Sequence, residues 1–349
     1  MLNHDTRSTG VAGVRQAGRA LTVLGILLAV IVTGARAQDD PLEKARAVYN
    51  DGNYSQAAEL LDALARDETV DLRMRRDALR YLGRAYIAQS LMEDARQAVV
   101  DLLELEPPLV ELDPDVEPPP IMDFYFEERE KMTGHEVPTA DPGIRTLAVM
   151  DFRNYALDDQ ERWDPMQWGF ASMMIEQLGG ATDLKLVERE NLQYVLDELN
   201  LQRQSGVVDE ATAVRMGKVM GAHAMVLGSI FITGRRMRLG ARVVKVETGE
   251  VLLGESVDGR ASDFFDLLEK LSLKVARSVN STLTETEIGA RTETRSLDAA
   301  RAYADGLKLA EDGGYEAARE KFLQALDYDP SYTRAQKRID SLVPILAAR

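Results

Sequence analysis

Leu184-Lys185-Leu186-Val187-Glu188-Arg189-Glu190-Asn191-Leu192 is the stretch that decides the fold of the central part of this chain. A short apolar run comes first, and a charged turn follows it directly. The next apolar residues recur with the i, i+3, i+4, i+7 spacing of one helix face, at Leu192, Val195, Leu196 and Leu199. The stretch therefore predicts a buried strand followed at once by a helix, the unit from which α/β domains are built.

Strand and helix patterns on both sides extend this domain over residues 145–286. Residues 146–152 and 224–232 are apolar enough for buried strands, whereas 237–243 alternate apolar with polar residues, as a strand with one solvated face does. Helices are predicted at 165–178, 190–201 and about 262–283. We predict an α/β central domain, a mixed sheet with flanking helices, between all-α segments.

The flanking segments carry the spacing of tetratricopeptide repeats, in which two helices pack through small and aromatic residues. In residues 41–133 the matching positions include Ala45 and Tyr49, and they recur one repeat length later at Ala78 and Leu82. A third repeat, followed by a terminal helix, is predicted in residues 296–349; generic helical hairpins are the alternative reading of the N-terminal pattern. One repeat cannot bury its own face, so the third must dock on the central domain, on the first repeats or on a partner.

A proline-rich acidic tract at residues 104–142 separates the first repeats from the central domain. It holds eight of the twelve prolines and twelve acidic residues. We predict an extended run at 109–120, then one short amphipathic helix that caps the repeats, then a linker at 134–144. The acids lack a loop-defining calcium pattern, so we expect them to form a solvated surface.

The composition limits the chemistry that the protein can perform. A net charge of −16 at pH 7 argues against nucleic acid and anionic lipid as partners, since both repel an acidic protein. Three histidines and no cysteine remove most metal and thiol chemistry. The glycines match no phosphate-binding loop. We therefore expect no metal and no cofactor.

Residues 1–37 have the three parts of an export signal: arginines, a 13-residue apolar core, and small residues before a cut after Ala37. Retention as a membrane anchor is the alternative, but thirteen helical residues reach only about 20 Å, less than a ~30 Å hydrocarbon core. We expect cleavage, which leaves no membrane span. An exported chain without cysteine favours the periplasm of a bacterium with two membranes.

Several short motifs occur in order within residues 145–286. They include Val187-Glu188-Arg189, Met216-Gly217-Lys218, Val226-Leu227-Gly228-Ser229 and Ala241-Arg242-Val243-Val244. In this order they resemble the CsgG-like family, the periplasmic part of the curli secretion channel and its relatives. The resemblance implies an α/β fold, a periplasmic location, a role in envelope assembly or secretion, and a tendency to form rings.

The chain departs from the channel members of that family at two places. Those members carry two long insertions that become membrane-crossing hairpins, each of roughly 20 residues or more. Here the corresponding sites, at 233–236 and 258–261, hold only four residues each. The cysteine that carries a lipid anchor is also absent. The chain therefore keeps the scaffold of the family, and a transport activity should not be carried over.

Four charged residues are candidates for interaction or for a fold signature: Glu188, Arg189, Arg235 and Arg236. Glu188 lies where a helix N-terminus favours acids, and we expect Arg189 to pair locally. An acid/base role is disfavoured because no histidine lies nearby in the sequence. Arg235 and Arg236 are expected to shield a sheet edge, or else to meet an acidic partner. We identify no catalytic residue.

These features favour a non-enzymatic periplasmic scaffold or adaptor, peripheral to the outer membrane, that binds envelope or outer-membrane proteins and can self-associate. The alternatives are an outer-membrane secretion pore component and an activator of a cell-wall enzyme. An enzyme acting on cell-wall polymer is a further hypothesis. It requires Glu188 and Asp151 to face one open cleft.

Overall fold

A computed structural model describes residues 40–105, 112–134, 145–198 and 210–348. The predicted export signal with its cut after Ala37 and nearly all of the predicted linker at 134–144 lie outside these ranges. The described chain contains a mixed six-stranded sheet with helices before, around and after it. The predicted fold class, an α/β domain between helical segments, is confirmed.

Five helices form the N-terminal part, and each packs against the next along the chain. They are α1 (Pro41–Asn50), α2 (Tyr54–Arg66), α3 (Leu72–Ala88), α4 (Met92–Leu105) and α5 (Pro119–Thr133). Side-chain caps fix two of the starts, since Asp40 accepts from the N–H of Leu42 and Asp71 from the N–H of Met74. α5 is the predicted short helix, and a proline at its first position is compatible with a helix start.

The central sheet has the strand order β3-β1-β4-β5-β6, and a short β2 also pairs with β4. The strands are β1 (Arg145–Val149), β2 (Arg153–Asn154), β3 (Leu184–Val187), β4 (Ala224–Thr233), β5 (Arg236–Lys245) and β6 (Val251–Arg260). β1 runs parallel to β3 and β4, whereas β4, β5 and β6 form antiparallel pairs. β5 is thus an interior strand, and β6 is an edge.

Helices cover the two faces of this sheet unequally. The helices between β2 and the C-terminal part are α6 (Gln160–Trp163), α7 (Met166–Leu178), α8 (Arg189–Glu198), α9 (Glu210–Val219), α10 (Phe264–Ser278) and α11 (Glu285–Ala290). α7 and α10 bury one face in the largest apolar core. On the other face, α8 contacts β1, and α9 contacts β4 and β5. Most of the remaining outer face of β5 and β6 is exposed.

The predicted helix at 262–283 is shorter than the sequence suggested. α10 ends at Ser278, and Asn280 takes a left-handed backbone conformation with φ of 55°. α11 then starts with a capping box between Thr284 and Glu287. The apolar spacing was correct up to the break, but an asparagine stop is weaker in sequence than a glycine or a proline.

Three C-terminal helices follow: α12 (Leu297–Glu311), α13 (Tyr315–Tyr328) and α14 (Thr333–Ala347). α12 packs on α7 of the central domain, and α14 packs on α3 of the N-terminal part. One apolar core therefore contains residues from both helical parts. The C-terminal helices thus dock at two of the three places that the sequence left open. Their assignment as tetratricopeptide repeats stays a prediction, as do the domain boundaries.

Candidate functional site

The strand–helix junction at Glu188-Arg189-Glu190 lies beside the end of β1, because β1 and β3 are parallel neighbours with Ala148 opposite Val187. This register places Asp151 next to Arg189. The buried Arg189 guanidinium donates from Nε to Asp151 Oδ1 (3.1 Å) and from Nη2 to Glu311 Oε2 on α12 (2.6 Å). The expectation that Arg189 pairs locally is wrong, because its partners come from two distant parts of the chain.

The next residue, Glu190, binds the C-terminal helix. Its Oε1 accepts from Arg338 Nη2 on α14 at 2.6 Å. Glu188 has an exposed side chain and forms no ion pair with the described residues. The three signature charges therefore differ in use: two attach C-terminal helices to the junction, and one faces solvent.

A turn in the acidic tract supplies further carboxylates. The N–H groups of Val116 and Glu117 donate to the carbonyl of Asp113, so the predicted extended run is wrong here. Asp115 pairs with Arg334 (2.8 Å) and Arg338 (2.9 Å) of α14. Burial alone would raise the pKa of Asp115, but the two arginines hold that pKa at about 2.

Glu117, in the same turn, is bound to α3. Its side chain is fully buried (0% exposed) and pairs with Arg80 (2.5 Å) and Arg84 (2.9 Å). Burial opposes its ionisation, yet the pKa of Glu117 is lowered because Arg84 and Arg80 stabilise the carboxylate. The expectation of a solvated acidic surface is therefore wrong for Asp115 and Glu117. The composition of the acidic tract showed these two acids, but it did not show which arginines elsewhere in the chain neutralise them.

Arg334 connects this turn to the central domain. Its Nη1 donates to Glu176 Oε2 on α7 at 3.2 Å, and its backbone N–H donates to Glu293 (2.9 Å). Burial, reinforced by Glu293, raises the pKa of Glu176 to about 7 despite the nearby Arg334. We call this whole network the charged joint; it comprises Asp115, Glu117, Asp151, Glu176, Glu190, Glu311, Arg80, Arg84, Arg189, Arg334 and Arg338.

The charged joint offers little room for catalysis. The cleft beside it has a volume of about 210 Å³ and is lined by Arg189 and Glu190, but by neither Glu188 nor Asp151. Asp151 is engaged by Arg189. The geometry that would support a cell-wall enzyme, two carboxylates facing one open cleft, does not occur among the described parts of the joint. Within those same ranges no three histidine or acidic side chains are arranged to hold a metal ion.

Of the second candidate pair, Arg235 lies in the two-residue connection from β4 to β5, and Arg236 is the first residue of β5. Gly234 has φ of 56°, a conformation that glycine adopts without strain, and its N–H donates to Asp158 (2.7 Å). The turn opens onto a cleft of about 1090 Å³. We call it the arginine cleft, because its lining includes Arg162, Arg235, Arg236 and Arg260, together with Asp158, Asp159 and Asp263.

Two of these arginines lie directly opposite each other on neighbouring strands. Arg236 of β5 is the register partner of Arg260 of β6, and like charges in that position destabilise a sheet. Arg238, two residues along, instead pairs with Asp258 at 2.7 Å. The hypothesis that Arg235 and Arg236 shield a sheet edge is wrong for Arg236, because β5 is paired on both sides.

Large apolar side chains are exposed near the same end of the sheet. Leu157 is 71% exposed, Tyr155 49% and Phe231 38%. The N–H groups of Tyr155 and Leu157 donate to Ile230 and Ile232, which fixes this segment beside β4. Sequence reasoning missed this group. The available signal was the apolar Leu157 in an otherwise polar loop.

A third region, at the other end of the parallel strands, contains His223. The N–H of Thr146 donates to His223 Nδ1 at 2.9 Å, so the imidazole fastens the start of β4 to β1. A cleft of about 730 Å³ lies there. His223 thus acts as a boundary residue directly before β4. Across the described ranges, every helix is too short or too polar to span a membrane.

Residues 132–238 match the model of a protein family described as "Curli production assembly/transport component CsgG". The matched segment runs from the end of α5 into β5 and contains the four candidate charges. No curated protein sequence matches the chain.

Several solved structures are similar to part of the chain. The LpoB C-terminal domain from Salmonella enterica shares 13% identity, with a TM-score of 0.26, over 39% of this chain and 92% of that one. Lipoprotein GNA1162 from Neisseria meningitidis shares 18% identity, with a TM-score of 0.27, over 40% of this chain and 99% of that one. TolB from Acinetobacter baumannii shares 15% identity, with a TM-score of 0.29, over 42% of this chain and 30% of that one.

Proposed function

The central domain of this chain is CsgG-like, and from this premise we propose that the protein is a non-enzymatic scaffold of the bacterial cell envelope. It acts in the periplasm, in assembly or secretion at the outer membrane, by binding other envelope proteins. The observation that carries the proposal is the family match over residues 132–238.

The charged joint supports a scaffold more than an enzyme. Its carboxylates and guanidiniums pair with one another in contacts that involve the N-terminal helices, the central domain and the C-terminal helices. Buried ion pairs of this kind fix how segments sit together, since each charge needs its partner. A protein held in one arrangement can present separate binding surfaces at fixed distances.

Three further elements belong to the proposal. Residues 1–37 direct export and are cut after Ala37. The helical segments at 41–133 and 296–349 are tetratricopeptide repeats whose concave surfaces bind polypeptide. Copies of the protein self-associate, as the ring-forming habit of the family implies.

Two measurements test the proposal. In fractionated cells, we expect the protein in the periplasmic or envelope fraction, with its N-terminus at Gln38. Crosslinking in intact cells followed by capture should recover envelope proteins that are missing from a mock-tagged control. Location in the cytoplasm, or a captured set no different from the control, contradicts the scaffold. Mass measurement of the purified protein in solution decides on self-association, and a monomer at high concentration removes it.

A further inference from the structure

We infer that the arginine cleft is a docking site for an extended, carboxylate-rich segment of a partner polypeptide. The inference rests on the proposed scaffold function and specifies the chemistry of a partner at one surface. Arg235, Arg236 and Arg260 form no ion pair with any residue in the described ranges, although the chain as a whole carries a net charge of −16.

Among the described residues, no acid that lines the cleft forms an ion pair with these arginines. Asp158 accepts from the N–H of Gly234 (2.7 Å), and Asp263 accepts from the hydroxyl of Ser262 (2.8 Å). Arg236 and Arg260 remain opposed across β5 and β6, an arrangement that weakens the sheet. An incoming carboxylate placed between them would turn this repulsion into two charge-assisted hydrogen bonds, the geometry for which the planar guanidinium is suited.

The shape of the surface favours a polypeptide chain. Beyond the cleft, the outer face of the sheet forms a groove of about 730 Å³ with small residues on its floor. Ser229, Gly240 and Ser256 are register partners across β4, β5 and β6 and form one row of that floor. A chain can lie in such a groove with its backbone close to the sheet, whereas a flat bilayer cannot enter it.

Apolar side chains flank the cleft and set a second requirement. Tyr155 lines the groove, and the exposed Leu157 and Phe231 directly precede the cleft residues Asp158 and Ile232 in the sequence. A segment made only of acidic residues would leave these apolar side chains exposed to water. The expected segment therefore combines carboxylates with aromatic or aliphatic residues, which bury against the exposed apolar side chains while the acids reach the arginines.

The probe is a fluorescent synthetic peptide of about twelve residues, built from the repeat Asp-Glu-Leu-Asp-Glu-Phe, the length of one extended recognition segment. Its control replaces every acid by the matching amide. Binding is measured by fluorescence anisotropy with the purified protein. Two triple variants are compared with the wild type. The cleft variant is R235Q/R236Q/R260Q, and the control variant is R73Q/R277Q/R319Q, at exposed arginines elsewhere. Both variants lose the same charge.

We expect the acidic peptide to bind the wild type and the control variant alike, and to bind the cleft variant at least about tenfold more weakly. The amide peptide should bind all three proteins as weakly as the acidic one binds the cleft variant. An equal loss of peptide affinity in both variants would show that only the overall charge of the protein matters, and this would contradict the inference. Unchanged binding by the cleft variant would also overturn it. A thermal midpoint no lower than that of the wild type excludes misfolding of the cleft variant.

Two further outcomes have separate meanings. Sedimentation with phosphatidylglycerol vesicles that is lost only in the cleft variant, without peptide binding, would replace the polypeptide by a membrane surface. Peptide binding by a protein found in the cytoplasm would leave the docking site standing and remove the envelope function. If the protein is found in the envelope but its cleft binds no peptide, the envelope function stands and the docking site is removed.

Discussion

The charged joint and the arginine cleft both concentrate guanidinium groups, but only the joint supplies each of them with a carboxylate. In the joint, Arg189 and Arg338 are buried and each contacts two acids. In the cleft, Arg235 and Arg236 are exposed and contact none in the described ranges. A buried charge must be paired because its desolvation is costly, whereas water tolerates an unpaired one. The difference separates arginines that hold this fold together from arginines left for a partner.

Removal of Arg334 should have the largest effect on stability. Arg334→Met leaves Glu176 without its arginine and Asp115 with one arginine instead of two. We expect the free energy of unfolding to fall by about 3 kcal/mol, the scale for a buried charge that loses its partner. Urea unfolding followed by the fluorescence of Trp163 and Trp168 measures it. Arg277→Met, at an exposed position, should change stability by less than about 0.5 kcal/mol. Similar losses of stability in the two variants would contradict the distinction between buried, paired arginines and exposed ones.

The next effect depends on pH. The pKa of Glu176 is about 7 in the folded protein, against an ordinary value of 4.5. Between those values the folded carboxyl holds a proton that the unfolded one has lost, so stability falls as pH rises through this window. Glu176→Gln should abolish this part of the decline, on the order of 2 kcal/mol between pH 4.5 and pH 8. Unfolding curves at several pH values test it, and parallel declines in both proteins would show that Glu176 does not titrate there.

A smaller change sharpens the role of geometry. Arg189→Lys keeps the charge but replaces the fork that reaches Asp151 and Glu311 by a single ammonium. We expect a loss of about 1 kcal/mol, the scale of one hydrogen bond. Arg236→Lys in the cleft should leave stability unchanged. If both lysine variants behave alike in thermal unfolding, fork geometry does not matter in the joint.

The smallest effect has the opposite sign. Arg236→Gln removes one of two opposed positive charges, so the protein should become more stable by a few tenths of a kcal/mol at low salt. The gain should vanish in high salt, because exposed charges are screened. Thermal midpoints at two salt concentrations measure it. A loss of stability would show that Arg236 already has a favourable partner within the protein.

Periodicity in the sequence predicted the elements of this fold well. The spacing of Leu268, Leu271 and Val275 gave the buried stripe of α10, and the alternation from Met237 to Val243 gave β5. These patterns are local, so the sequence alone contains them. The opposition of Arg236 and Arg260 was not accessible in this way, because a register shift between Val243 and Val244 moves the pairing of β5 with β6 by one residue.

The charged joint was not accessible in the same way. Asp115 lies 219 residues before Arg334, and no periodic pattern connects them. A proline-rich acidic tract is usually solvated, so composition pointed to the surface for Glu117 as well. Arg80 and Arg84 of α3 neutralise Glu117, and the docking of α14 beside α3 brings Arg334 and Arg338 to Asp115. Tertiary packing overrode a compositional rule.

α14 is joined by ion pairs to parts of the chain that lie far before it in sequence. Arg334 and Arg338 both contact Asp115 in the acidic turn. Arg334 also contacts Glu176 of α7, and Arg338 contacts Glu190 at the strand–helix junction. Local unfolding of this one helix would therefore leave three carboxylates without their cations, so that the N-terminal part and the central domain are coupled energetically through α14.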